Sequence, residues 1–170
     1  MFYSYNDIGN LVSDLFSGNT TKDAILKKYD KACITEKIED YFDIACQKKD
    51  FEMIDDLIYL VYCFEVESNT LLNIFNNLIL ATWHYKHEDI ASLLTEYHSD
   101  SSVLCLKNAT TMDLDYLSYE GDTTFAFAKK CIKALGRIDS ESSKAALIEI
   151  SKNPNKYIAN MAIKQLNSDW

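Results

Sequence analysis

The densest cluster of chemically capable side chains in this 170-residue sequence is Met112 to Asp122, MDLDYLSYEGD. It sets Asp113, Asp115, Glu120 and Asp122 around Tyr116 and Tyr119. A calcium loop would need a third oxygen ligand and a glycine at its sixth position, and D-x-D-x-L supplies neither. A protein-binding edge asks for less. Tyrosine offers large contact area at small entropic cost, and carboxylates complement a basic partner. The competing reading is a solvated connecting loop with its tyrosines folded onto the core. The expectation is a protein-binding edge made of Asp113, Asp115, Tyr116, Tyr119, Glu120 and Asp122.

Other clusters say less. Asp40 and Asp43 precede Glu52, Asp55 and Asp56 on the next predicted helix, but di-metal bundles need Glu-x-x-His on two helices, and the sequence has none. Asp55 and Asp56 fall opposite the Ile54/Ile58/Val61 stripe, on an expected solvated face. His84 and His87 stand three apart beside Glu88, with His98 remote. Two imidazoles and one carboxylate fall short of a metal site, so all three histidines read as surface or loop residues. The five cysteines are scattered without a C-x-x-C pair and read as small apolar residues of a reducing compartment. Gly-rich phosphate loops, G-x-S-x-G and H-E-x-x-H are absent. The expectation is a protein without catalytic residues, cofactor or metal.

Charge narrows the partner class. Residues 1–67 carry 14 acidic and 7 basic groups, residues 68–122 carry 8 and 2, and residues 123–170 carry 4 and 8. The acidic first two thirds repel nucleic acid and steer a basic partner inward. Arg137 is the single arginine against 16 lysines, which argues further against phosphate recognition. The same bias follows from an AT-rich genome. The start, MFYSYNDIGN, has neither a basic segment nor an apolar one, and the uncharged run Ser68 to Tyr85 is broken by four asparagines and His84. Neither reads as a signal peptide or membrane span, so a cytoplasmic protein that touches no membrane is expected.

These residues need elements to position them. One proline and four glycines are too few for a β-sandwich or barrel, and the chain reads all-α as a single domain, residues 1–170. Apolar residues at helical spacing predict helices at Asn6–Phe16, Thr21–Tyr29, Thr35–Lys48 and Asp50–Phe64. An uncharged helix capped by Ser68 and ending at Trp83 follows, then His87–Tyr97 and a short helix near Ser101–Lys107. Asn108–Asp122 is irregular. Thr123–Ile138, Ser140–Lys152 and Asn155–Asn167 complete about ten helices with short connections.

The last part of the chain echoes itself at 31 residues. Ala128, Cys131, Ile132 and Leu135 return as Ala159, Ala162, Ile163 and Leu166, each set on one helical face. Such a period marks stacked units that cannot bury their apolar faces alone. Residues 123–168 resemble HEAT-type repeats: Ala134-Leu135-Gly136 ends a helix near glycine, and Ile138-Asp139 begins the turn. The resemblance implies a HEAT-like α-solenoid stacked as antiparallel hairpins, clearest over 123–168. It also implies a binding scaffold, since solenoids mostly bind macromolecules. By size, charge and fold the chain resembles bacterial immunity proteins, which implies a cognate toxin domain as the basic partner. A general scaffold or regulatory subunit is the alternative, as is a HEAT-like enzyme of the bilin lyase or DNA glycosylase kind.

Overall fold

A computed structural model describes residues 2–117 and 125–167. Among these residues all regular structure is helical. The ten α-helices are α1 (Ile8–Ser17), α2 (Lys22–Lys28), α3 (Lys31–Lys48), α4 (Phe51–Phe64), α5 (Asn69–Leu78), α6 (His87–Tyr97), α7 (Val103–Ala109), α8 (Ala126–Ile138), α9 (Glu141–Ile150) and α10 (Lys156–Leu166). Short 3-10 turns at Tyr5–Asp7, Asp100–Ser102 and Asp115–Leu117 complete the set. No helix among the described residues is long and apolar enough to cross a membrane. The chain falls into two compact units, Met1–Ile74 and Phe75–Trp170, with the division inside α5.

In the first unit α4 packs against α1 and α3. Its stripe of Ile54, Leu57, Ile58, Val61 and Phe64 is buried, together with Ile8, Leu11, Ile34, Ile38 and Phe42. Each such side chain contributes about 1.5–3 kcal/mol when fully removed from water. Asp50 caps α4 by accepting from the Met53 N–H at 3.1 Å, and it also accepts from the Tyr5 hydroxyl at 2.9 Å. The start of α3 lies earlier than its spacing suggests. Asp30, not Thr35, is the cap, accepting from Cys33 N–H at 2.7 Å, while the Thr35 hydroxyl donates back to the Lys31 carbonyl inside the helix. The extra turn buries Ile34.

In the second unit α8 is the central helix, touching α6, α7, α9 and α10. Ala128, Cys131, Ile132 and Leu135 are all buried there. Their echo on α10 is only half buried. Ala159 and Ala162 are inside, whereas Ile163 is 43% exposed. The main neighbours of α10 are α8 and α9, and Leu166, half-buried, lines a cleft among the three. Ser140 forms a capping box with Ser143 at the start of α9, and Asn155 caps α10 by accepting from Tyr157 and Ile158. α8 runs through Gly136 to Ile138, the end its spacing predicts, and closes at Asp139, which takes the left-handed conformation at φ 50°.

The uncharged helix also ends early. It stops at Leu78, followed by a tight turn in which Leu80 and Ala81 donate back to the Asn77 and Leu78 carbonyls. Trp83 therefore lies in a connecting segment, half-buried, with its ring edge-on to His84.

Candidate functional site

Beyond the end of α5 at Leu78, two histidines bond back onto backbone carbonyls of the helix end and the turn that follows it. His84 donates from Nε2 to the Leu78 carbonyl at 2.8 Å, and His87 donates from Nε2 to the Ala81 carbonyl at 2.8 Å. Donor and acceptor are six residues apart in both cases. Acceptors and imidazoles advance by the same three-residue step, so the rings lie parallel, 4.3 Å apart with 20° between planes. They are 1% and 0% exposed. Against the expectation of surface or loop histidines, both are buried, although His84 does lie in a connecting segment and His98 is exposed. A histidine's neutral ring supplies one donor and one acceptor, and here each is paired.

The remaining ring nitrogens fix the tautomer. His84 Nδ1 accepts from the Lys86 backbone N–H at 3.1 Å. His87 Nδ1 accepts from the Tyr116 hydroxyl at 2.5 Å. The same hydroxyl accepts from the His87 backbone N–H at 3.4 Å, at the start of α6, where no N-cap side chain serves. Tyr116 thus bridges the first turn of α6 and the imidazole inside it. Phe127 of α8 meets His87 edge-on at 5.5 Å, and Tyr85 meets Tyr116 at 5.1 Å. Burial holds both imidazoles below their ordinary pKa, His87 at about 4, with the neighbouring ring as a further cause at His87.

The acidic run is placed by this anchor. Asp113 and Asp115 are exposed, while Tyr116 is half-buried with its hydroxyl committed to His87. The three sites share one short segment, Met112–Leu117, in which Met112 N–H donates to Ala109 and Leu117 N–H to Leu114 at 2.8 Å. Tyr119, Glu120 and Asp122 lie outside the described residues. Spacing alone could not reveal the His84–His87–Tyr116 cluster, because Tyr116 is 29 residues from His87. The available signal was the equal step between two histidines just beyond an uncharged helix.

Other candidates resolve into structure. Among the described residues no group of three or more His, Cys, Asp or Glu side chains could hold a metal. Asp55 is exposed, and Asp56 is half-buried rather than fully solvated. Its burial, and then Asp55, Asp50 and Glu52, raise its pKa. Cys105 and Cys131 are buried, and Cys33, Cys46 and Cys63 partly so. Burial raises the pKa of Cys46 and Cys105 to about 11, so they remain thiols rather than nucleophilic thiolates. A cleft of about 300 Å³ lies among α8, α9 and α10, lined by Gly136, Lys144, Leu147, Ile148 and Gln165. Lys144 pairs with Asp139 at 3.0 Å, and Ser143 of the same wall is spent in the capping box. Asp139 and Glu141 also line it, and the Gln165 Nε2 is buried there with no hydrogen-bond partner among the described residues. Comparison of the chain with protein-family models, curated proteins and solved structures gave no match.

Proposed function

We propose that this chain is a HEAT-like helical-repeat binding module, and specifically an immunity protein that neutralises a basic bacterial toxin by covering its active site. The observation that carries the reading is the display of Asp113 and Asp115 on a short segment pinned to the interior through Tyr116. An interaction edge needs its contact groups in water and its backbone held, because ordering a loose segment costs affinity. The 14-to-7 and 8-to-2 acidic excess of the first two stretches supplies a field that draws a cation in. The α8–α10 echo supports the repeat architecture. Mechanistically the inhibitor combines steric occlusion with electrostatic steering, and needs no cofactor or metal.

The test is binding kinetics against a cationic toxin domain from a neighbouring reading frame, with rescue of cells expressing it. Association is expected to slow at least tenfold between low and physiological-to-high salt, since exposed charges are screened beyond about 8–10 Å. The Asp113→Lys/Asp115→Lys pair is expected to slow association further while changing dissociation little. An association rate indifferent to salt and to charge reversal would sink the reading.

A further inference from the structure

We propose that the face shared by α1 and α4, where Phe16 lies stacked on Tyr59, docks a basic amphipathic segment of a partner protein: an apolar side chain on the two rings, with a cationic residue one helical turn to either side. The surface belongs to the first unit alone, and its test uses no toxin, so it stands or falls apart from the immunity reading.

Helical spacing assembles the face. Gly9, Ser13 and Phe16 share one side of α1, and Glu52, Asp56 and Tyr59 share one side of α4. The two stripes meet at both ends. At one end a Cβ on Gly9 would lie 3.3 Å from Asp56 Oδ2, so the carboxylate rests on the bare backbone of α1. At the other the Phe16 and Tyr59 rings stack, 4.8 Å apart with 24° between planes. Between them Gly9 and Ser13 are exposed and carry little side chain, which leaves room for a partner backbone to approach.

Phe16 supplies the apolar contact. Among the described residues it is the most exposed large apolar side chain, at 75%, while Tyr59 is half-buried. A lone exposed apolar residue is ordinary. A phenyl ring propped on a second ring is different, because its position is fixed before binding. Covering it removes a large apolar area from water at little cost in ordering.

Charge selects the occupant. Neither α1 nor α4 carries a lysine or arginine. α1 ends one residue after Phe16, so the helix supplies no cation to its own negative dipole end. Asp56 is half-buried, and its pKa is raised by burial first and then by Asp55, Asp50 and Glu52, all of them negative. At the C-terminal end of α4, Lys22 is committed to Glu65 at 2.6 Å. An anionic partner is repelled here, and an uncharged one covers the carboxylates at a cost. A cation on each side of the apolar contact offsets both Asp56 and the end of α1. Asp56 stands three residues before Tyr59, and helix neighbours at that spacing are about 5–6 Å apart, so one turn is the matching separation in the partner.

The test is an NMR titration of the full chain with an alanine-based helical peptide carrying one leucine and an arginine three residues to either side. Expected are saturable shifts of the Ser13–Ser17 and Asp56–Tyr59 amides. Exchanging both arginines for glutamate is expected to abolish binding, and exchanging the leucine for serine to weaken it about tenfold. Phe16→Ser leaves the net charge unchanged and is expected to weaken binding about tenfold, with Asp56→Asn weakening it about threefold. Shifts spread over the acidic surface, with Phe16→Ser binding as the wild type does, would show charge attraction alone and overturn the proposal. Equal binding of the serine peptide, or no saturable shift, would overturn it as well. Should Phe16→Ser not fold, the glutamate and serine peptides against the wild type decide alone.

Discussion

Gly136 shows how one missing side chain sets the contact between two helices. An ideal Cβ at Gly136 would lie 2.3 Å from Gln165 Nε2 and 2.5 Å from its Cγ. The length of the Gln165 side chain, not just its tip, therefore occupies the space. Alanine would improve α8 propensity by about 1 kcal/mol, but it would have to push Gln165 and the α10 contact aside. Gly136→Ala is expected to lower stability by roughly 1–2 kcal/mol in urea unfolding, and adding Gln165→Ala to restore it. Simple additivity of the two single variants would show that the contact has slack. From sequence, the helix is expected to run through Gly136 to Ile138, and the HEAT pattern accounts for the glycine only as lying near the helix end. It is also a place of close approach, and Asp139 takes the terminating role. A glycine two residues before the helix end does not show its close approach until its neighbour 29 positions on is seen.

At the scale of elements, this chain ends helices without glycine. Among the described residues Lys49, Glu65, His98 and Asp139 take positive φ, between 49° and 53°, and there Gly18 alone uses the residue suited to it. Each of the four gives up about 1–2 kcal/mol against a conformation that L-residues avoid. Glu65 recovers a bridge to Lys22 at 2.6 Å, His98 a bond from Nδ1 to the Arg137 carbonyl at 2.7 Å, and Asp139 the Lys144 pair. Lys49 is exposed and has no such compensation among its hydrogen bonds. Lys49→Gly is therefore expected to stabilise the protein by up to about 1 kcal/mol, raising its midpoint in thermal or urea unfolding. This habit also explains which boundaries were legible. Helices opened by Asp50, Ser140 and Asn155 could be read, because a capping side chain acts on neighbours two or three residues away. The end of α5 could not be read. Its last carbonyl is shared by a turn N–H and the His84 imidazole six residues downstream, and apolar spacing continues past Leu78 through Ile79. Thr35 misled in the same way, since its hydroxyl serves a helix interior as readily as a cap.

For the whole molecule, pH and salt act through different residues and can be separated. Burial of His87 moves its pKa from 6.5 to about 4, which amounts to roughly 3 kcal/mol of stability present above pH 6.5 and lost on descent to 4. Unfolding free energy is expected to fall across that range in the wild type and to fall less in His87→Gln. Salt should move this curve little, because the penalty comes from desolvation rather than from exposed pairs. Charge regionalisation has the opposite character. The fourfold acidic excess of residues 68–122 and the twofold basic excess of 123–170 govern encounter rates, not folding. The all-α class was legible because it depends on composition and short spacing. The anchoring of Tyr116 was not, since it joins residues that only the folded second unit brings together.

The two imidazole–carbonyl bonds at the end of α5 and in the turn after it also carry a clock. A ring N–H on an exposed histidine trades its proton with water too fast to be seen, whereas one held on a buried carbonyl must wait for the structure to open. His84 and His87 are therefore expected to show persistent Nε2 proton resonances at neutral pH. The His98 ring, exposed on the Arg137 carbonyl, is expected to show none. The lifetime of those two protons measures directly how often this corner of the protein breathes.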